Sequence, residues 1–346
     1  MANKLWQSLS KNLIYLFFGV VGVVLFIGVF KKVGWRNLFS VIDRLSIWQL
    51  VLLLGLQALF AIISLYRWRL ILGFIKTKLS WRTSWRAWLA DFAFSYLSPA
   101  PSFGGEPLRL KISQTEVVDV SWPKMAGTIV IDKIFDATIN VSIIIVGIFL
   151  LLRHHSLPGM FKLASLAIII FTFIFMGWGY WRALKRQGFF SVLIRLLNFN
   201  NNSVWRRLEG HLQEMEDTIH YFLKPNNRLL LPVILLALLR SIVGNLRVYL
   251  SIFFVSGSVS GVTFLILISL TSLVGFLPLP GGLGGLETAQ AFLFVLLGLT
   301  AQQGLVCALL NRLVDSTLII WGLVVIFQES INSFLNNFNN HQTKNI

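Results

Sequence analysis

The stretch GFLPLPGGLGGLETAQAFLF, residues 275–294, sets strong helix breakers inside the most apolar region of the chain. Pro278, Pro280, Gly281, Gly282, Gly284 and Gly285 precede a single carboxylate, Glu287, and no other charge occurs between Arg247 and Arg312. Soluble domains carry about 25% charged residues. This chain of 346 residues carries 13%, against 56% hydrophobic residues and a mean hydropathy of +0.74. The composition predicts an all-α polytopic membrane protein, because a helix satisfies its own backbone in lipid.

Working outward, apolar runs near the ~20 residues a bilayer requires lie at 13–30, 45–66, 125–152, 163–181, 229–253 and 304–327. They predict about six full spans. The runs 262–278 and 286–299 flank the Pro-Gly stretch, and the second is too short to cross alone. The first run follows Lys4 and Lys11 and ends in GVFKK without a small-residue cleavage site, so it reads as an uncleaved helix. A lone cysteine, Cys307, rules out a disulfide framework within the chain. His154 and His155 are adjacent, and no Cys/His cluster has metal-ligand spacing, so neither metal nor cofactor is expected.

The net charge of +16 chiefly reports loop placement. Residues 67–86 carry Arg67, Arg69, Lys76, Lys78, Arg82 and Arg86 without an acid; residues 182–228 carry a second basic set that begins with Arg182, Lys185 and Arg186. The positive-inside rule places both in the cytoplasm, with both termini, in a multi-pass protein of the cell membrane. Cationic loops also attract anionic lipid headgroups; membrane lipids, not nucleic acid, are the expected partners. Within the second loop, Trp205, Leu208, Leu212, Met215, Ile219 and Phe222 form one apolar stripe on a helix at about 203–223. The stripe suits an interfacial helix on lipid equally with a helix packed on the protein itself. The Asn-rich tail, 331–346, has a composition that predicts disorder.

This topology requires residues 87–124 to leave and re-enter on the same side. The break in SPAPSFGGEP supplies a re-entrant hairpin near 87–110, and PLPGGLGG supplies a second near 262–299. A shift of 180 residues superposes Gly104 and Gly105 on Gly284 and Gly285, and Arg67 on Arg247. Glu106 falls one position from Glu287, and Asp132, Lys133 and Asp136 fall near Arg312 and Asp315. The repeat halves run about 45–181 and 225–328. Because corresponding spans run in opposite directions, the repeat is inverted, a design in which broken helices place a binding site near the midplane.

The second tip resembles the transmembrane region of lysylphosphatidylglycerol synthases and the wider flippase-like group. The pattern Pro-Gly-Gly-x-Gly-x-x-Glu is matched at Pro280, Gly281, Gly282, Gly284 and Glu287, and an arginine of the last long helix at Arg312. The first tip matches Pro-x-x-x-Gly-Gly-Glu-x-x-Arg at Pro101, Gly104, Gly105, Glu106 and Arg109, with one residue fewer after the proline. The resemblance covers nearly the whole chain. It implies a single flippase-like domain over 1–330. The synthases continue into a soluble aminoacyl-transferase domain; this chain ends shortly after its last apolar run, so that activity is not expected here.

Charges inside spans are the candidate functional groups. Arg240 and Arg247 share one face of their helix, with no acid in the same run. With Arg67, Arg109 and Arg312 they are the candidate ligands of a lipid phosphate, which a guanidinium grips with two parallel hydrogen bonds. Lys133 with Asp136, and Arg312 with Asp315, also suit ion pairs that only fix helices. Glu106 and Glu287 each sit in a first helical turn, where the helix dipole stabilises a carboxylate, and proton coupling is the alternative. Three functions fit. The first is a translocator, not an enzyme, moving an anionic phospholipid or polyprenyl-phosphate-linked lipid. The second is an intramembrane enzyme acting on lipid phosphates. The third is a scaffold for a separate lipid-modifying transferase.

Overall fold

The computed structural model describes residues 45–98, 104–117, 119–154, 159–186, 188, 203–257, 259–274 and 285–342. The first apolar run, the tip residues Pro101, Pro280, Gly281, Gly282 and Gly284, and the last four residues of the tail lie outside this set.

Among the described residues, all regular secondary structure is helical. In chain order the helices are α1 (Ile47–Phe74), α2 (Trp81–Leu97), α3 (Glu106–Gln114), α4 (Trp122–His154) and α5 (Gly159–Leu184). They continue with α6 (Ser203–Phe222), α7 (Leu230–Ser256), α8 (Gly261–Val274), α9 (Gly285–Leu296) and α10 (Ala301–Gln342). Among the described residues, five helices have the length and composition to cross a membrane: α1, α4, α5, α7 and α10. They coincide with five of the six expected spans; the sixth, 13–30, lies outside the described residues. The chain is a polytopic membrane protein.

Local chemistry sets the helix ends. The Ser80 hydroxyl accepts from the Thr83 amide at 3.1 Å and caps α2. Glu116 in turn accepts from the Ser80 amide and hydroxyl at 2.6 and 2.8 Å. Gly104 has φ +115°, open to glycine at little cost, and Pro107 stands in the first turn of α3, where its missing amide hydrogen costs nothing.

The chain divides into two compact units. One contains α2, α3, α9 and α10 with the start of α1; the other contains the rest of α1 with α4 to α8. In the first unit α2 and α3 form the arms of the expected hairpin. The Gly105 amide donates to Ser95 Oγ at 3.0 Å, and a Cβ on Gly105 would collide with the Asp91 backbone. Helix α10 crosses α2 at Gly322, where a Cβ would strike the Leu89 carbonyl and Ala93. Trp85 meets Trp321 edge-on at 6.3 Å, and Arg86 pairs with Glu329 at 2.9 Å.

In the second unit, Ile71, Ile131, Phe135, Met215, Ile219, Phe222, Val233 and Ala237 form one buried cluster drawn from α1, α4, α6 and α7. The α6 stripe is therefore covered by the protein at Met215, Ile219 and Phe222, and Gly127 of α4 lets the Thr218 side chain and Met215 carbonyl approach. Helix α4 crosses α8 at Gly147, against Ser269 and the Leu265 carbonyl.

The 180-residue echo reappears as element order. The starts of α1 and α7 are 183 residues apart, those of α2 and α8 180, and those of α3 and α9, like those of α4 and α10, 179. Each unit also contains a glycine crossing between a long helix and a hairpin arm, Gly322 on Leu89 and Gly147 on Ser269. Leu89 and Ser269 are themselves 180 apart. The arms of the second hairpin, α8 and α9, stand where expected in sequence, although they belong to different units.

One expectation changes. The composition of the tail predicts disorder from 331, yet α10 runs to Gln342. Extending an existing helix by a residue avoids the nucleation cost that makes an isolated polar segment unfold.

Candidate functional site

Three spanning helices of the second unit bring their polar positions together. On α1 these are Gln57, Ser64 and Arg67, which share one face with Phe60 at spacings of three and four residues. Asp132 and Asp136 stand one turn apart on α4, and Arg240, Gly244 and Arg247 line α7.

The buried end is closed by Arg67. Its Nε donates to Asp132 Oδ1 at 2.7 Å, its Nη1 to Asp136 Oδ1 at 2.6 Å and its Nη2 to the Asp132 carbonyl at 3.3 Å. The Arg67 and Asp132 side chains are 1% and 3% exposed. Arg240 reaches the same Asp136 oxygen from Nη1 at 2.6 Å and donates from Nε to Ser64 Oγ at 2.7 Å. Its guanidinium lies 4.3 Å from the centre of the Phe60 ring, which Gly244 gives room to stand there. Arg247 donates from Nη1 to Gln57 Oε1 at 2.5 Å.

Burial is graded along this row. Asp136 and Arg240 are each 19% exposed, and Arg247 is half-buried. The cluster is sealed at Arg67 and accessible toward α7. It contains Arg67, Arg240 and Arg247 with Asp132 and Asp136.

A second network occupies the first unit. Arg109 Nη1 donates to Asp91 Oδ2 at 3.1 Å, and Ser95 Oγ donates to Asp91 Oδ1 at 3.0 Å. Because Ser95 Oγ also accepts from the Gly105 amide, the arginine, the carboxylate and the hairpin tip are tied together. Glu106 Oε2 accepts from the Gly104 amide at 2.6 Å. Glu287, in the first turn of α9, pairs with Arg312 of α10 at 2.6 Å.

These contacts redistribute the expected roles. Arg240 has an acid partner after all, Asp136, which comes from another helix and so was invisible within its own run. Asp136 meets Arg67 and Arg240, and the carboxylate at 2.6 Å from Arg312 is Glu287. Arg67 and Arg109 stand in buried ion pairs. Lys133 and Asp315 are partly buried on α4 and α10. Asp91 and Ser64 are the participants the sequence reading missed. Asp91 could have been found as a lone acid inside the apolar stretch WLADFAFSYL; Ser64 carries no such signal.

The chain matches the family model described as "Lysylphosphatidylglycerol synthase TM region" over residues 13–322. Comparisons with curated proteins and with solved structures give no match. The family match takes in both charged networks and the candidate spans, ending within the last of them. With the helical architecture, it identifies the chain as a multi-pass membrane protein that belongs to the lysylphosphatidylglycerol synthase transmembrane-region family.

Proposed function

We propose that this protein translocates an anionic lipid across the cell membrane, and that the Arg240–Arg247 face of α7 receives the lipid phosphate. The observation that carries this reading is the gradient within the cluster. Arg67 is locked between two aspartates out of reach, whereas Arg240 and Arg247 stand at the more accessible end of the cluster. Charges within spans are costly and are kept where they meet a partner or a polar path. A phosphodiester fits that end: it is anionic, and its oxygens match the arginine fork. Phospholipids and polyprenyl-phosphate-linked lipids share this group.

The proposed topology has both termini in the cytoplasm and the two hairpins entering from opposite sides, so that the repeat is inverted. Membrane families with such repeats work by moving one half against the other around a central site.

The test is reconstitution into liposomes with a headgroup-labelled anionic phospholipid in one leaflet. Translocation faster than in empty liposomes, and faster than for a zwitterionic analogue, supports the reading. Chemical alteration of the lipid points instead to an intramembrane enzyme. Neither movement nor alteration points to a scaffold for a separate lipid-modifying enzyme, and either outcome overturns the proposal.

A further inference from the structure

Asp136 accepts twice through one oxygen. Arg67 Nη1 and Arg240 Nη1 both reach its Oδ1 at 2.6 Å, and among the described residues no hydrogen bond ends on Oδ2. The two grips differ. Arg67 also holds Asp132, from Nε to Oδ1 at 2.7 Å and from Nη2 to the carbonyl at 3.3 Å, and both side chains are buried. Arg240 meets Asp136 through a single nitrogen, at a point where both side chains are 19% exposed.

A guanidinium can take a carboxylate or a phosphate with two parallel hydrogen bonds. Arg240 makes one point of contact with Asp136, on an oxygen that Arg67 already uses, so this is the exchangeable half of the arrangement. Arg67 does not depend on it, because Asp132 stays beside it. Ser64 Oγ accepts from Arg240 Nε at 2.7 Å, and the Phe60 ring lies 4.3 Å from the guanidinium, so α1 keeps the Arg240 head in place while its anion changes. An anion that arrives at Arg240 must draw the guanidinium from Asp136 or stand beside a like charge, and either lowers its affinity.

We infer, on the reading of the Arg240–Arg247 face as the lipid phosphate site, that Asp136 is the built-in counter-ion of that site. It occupies Arg240 in the unloaded protein, yields it to the phosphate of the incoming lipid and takes it back when the lipid leaves. Asp136 is a positioning residue: it touches the arginine and not the lipid. Its effect is a ceiling on affinity. A site on a transport path must release what it binds, and a competing carboxylate on α4 drives that release.

The test is equilibrium binding, independent of transport. The full chain in detergent is titrated with phosphatidylglycerol or phosphatidylcholine labelled on the acyl chain with dansyl, and energy transfer from the protein's tryptophans is read. Wild type should prefer the glycerol headgroup, and Arg240→Ala and Arg247→Ala should each weaken that preference. Unlabelled phosphatidylglycerol should displace the probe, and inorganic phosphate at the same concentration should not. Asp136→Asn keeps an oxygen for both arginines and removes the charge. It should bind phosphatidylglycerol about tenfold more tightly than wild type, since a charge-assisted hydrogen bond no longer has to be given up. Asp136→Glu, which keeps the charge, should show no such gain. Without lipid, the thermal midpoint of Asp136→Asn should lie below wild type, because Arg240 has lost its carboxylate. Saturating phosphatidylglycerol should narrow that gap, since a ligand held more tightly by the folded state stabilises it more; a merely structural role would leave the gap unchanged. Where Asp136→Asn is not recovered folded, Asp136→Ser takes its place. A folded neutral variant that binds phosphatidylglycerol no more tightly than wild type, while Arg240→Ala binds it more weakly, overturns the counter-ion role and leaves the phosphate site standing. No headgroup preference in wild type, unchanged binding in both arginine variants, or equal displacement by inorganic phosphate overturns the site and the counter-ion role together.

Discussion

Arg240 meets Asp136 at 2.6 Å through the oxygen that Arg67 also takes, so one carboxylate on α4 joins two arginines from α1 and α7. The two arginines are not equivalent. Arg67 is 1% exposed and Arg240 19%. Removing one partner of a buried pair strands the other charge and costs about 3–5 kcal/mol. Arg67→Ala should therefore abolish a monodisperse, folded protein in detergent, while Arg240→Ala should lower the thermal midpoint and still be recoverable. Equal loss in both, measured by fluorescence-detected size exclusion after heating, would contradict the gradient.

Arg247, which donates to Gln57 at 2.5 Å, gives a second test of the phosphate site. A hydrogen bond to a charged group is worth about 1.5–3 kcal/mol, which makes Arg247→Ala about tenfold or more slower in translocating anionic lipid. Arg247→Lys keeps the charge without the fork and should fall between. The midpoint of unfolding should change little. A well-folded Arg247→Ala protein that moves lipid at the wild-type rate sinks the site.

The pair of Glu287 with Arg312 joins the short helix α9 to α10. Glu287→Arg should leave two guanidinium groups facing each other and reduce folded protein in the membrane. Exchanging the pair, with Glu287→Arg and Arg312→Glu together, should restore much of the yield. Failure of the exchange, with each single variant well folded, would show that the contact does not hold the helices.

The crossing of α2 and α10 depends on Gly322, where a Cβ would strike the Leu89 carbonyl and Ala93. Overpacking costs about 1–3 kcal/mol, so Gly322→Ala should lower the thermal midpoint although alanine favours the helix. Gly177→Ala on α5, where a Cβ meets open space, should be neutral or slightly stabilising. Reversal of this order would remove the crossing from the account.

Asp217, outside the spans, is held below the ordinary carboxylate range, first by its hydrogen bond from Arg186. A lowered folded value stabilises the protein above the unfolded value of about 4 and is lost as pH falls through the folded one. Thermal midpoints of wild type and Asp217→Asn should be separated at neutral pH and converge on acidification below that range. The gap should be small, since the pair is exposed and screened by water. A constant gap across the whole range would place the effect elsewhere.

What could be read in the sequence is what depends on neighbours along the chain. The five described spans, the helix starts at Glu106 and Gly285, and the 180-residue echo all follow from run length, breakers and spacing. What could not be read is which helix faces which. Asp136 becomes the partner of Arg240 only because α4 and α7 cross there, and the α6 stripe reads the same whether lipid or Phe135 and Ile71 cover it. Glu287 stands in the first turn of α9, yet the partner at 2.6 Å, Arg312, comes from the next helix.

The order in which the ribosome delivers these helices matters. Arg67 is synthesised 65 residues before Asp132, and Asp136 waits 104 more for Arg240. An arginine within a lone helix opposes insertion, less so near its end, where Arg67 stands, than at its centre. The nascent α1 therefore lacks its acid partners until α4 is made, and α4 in turn exposes a carboxylate until α7 arrives. Assembly of the second unit is thus a relay of temporary debts in charge, and a nascent chain arrested between α4 and α7 would present Asp136 to the insertion machinery with only half of its guanidinium partners.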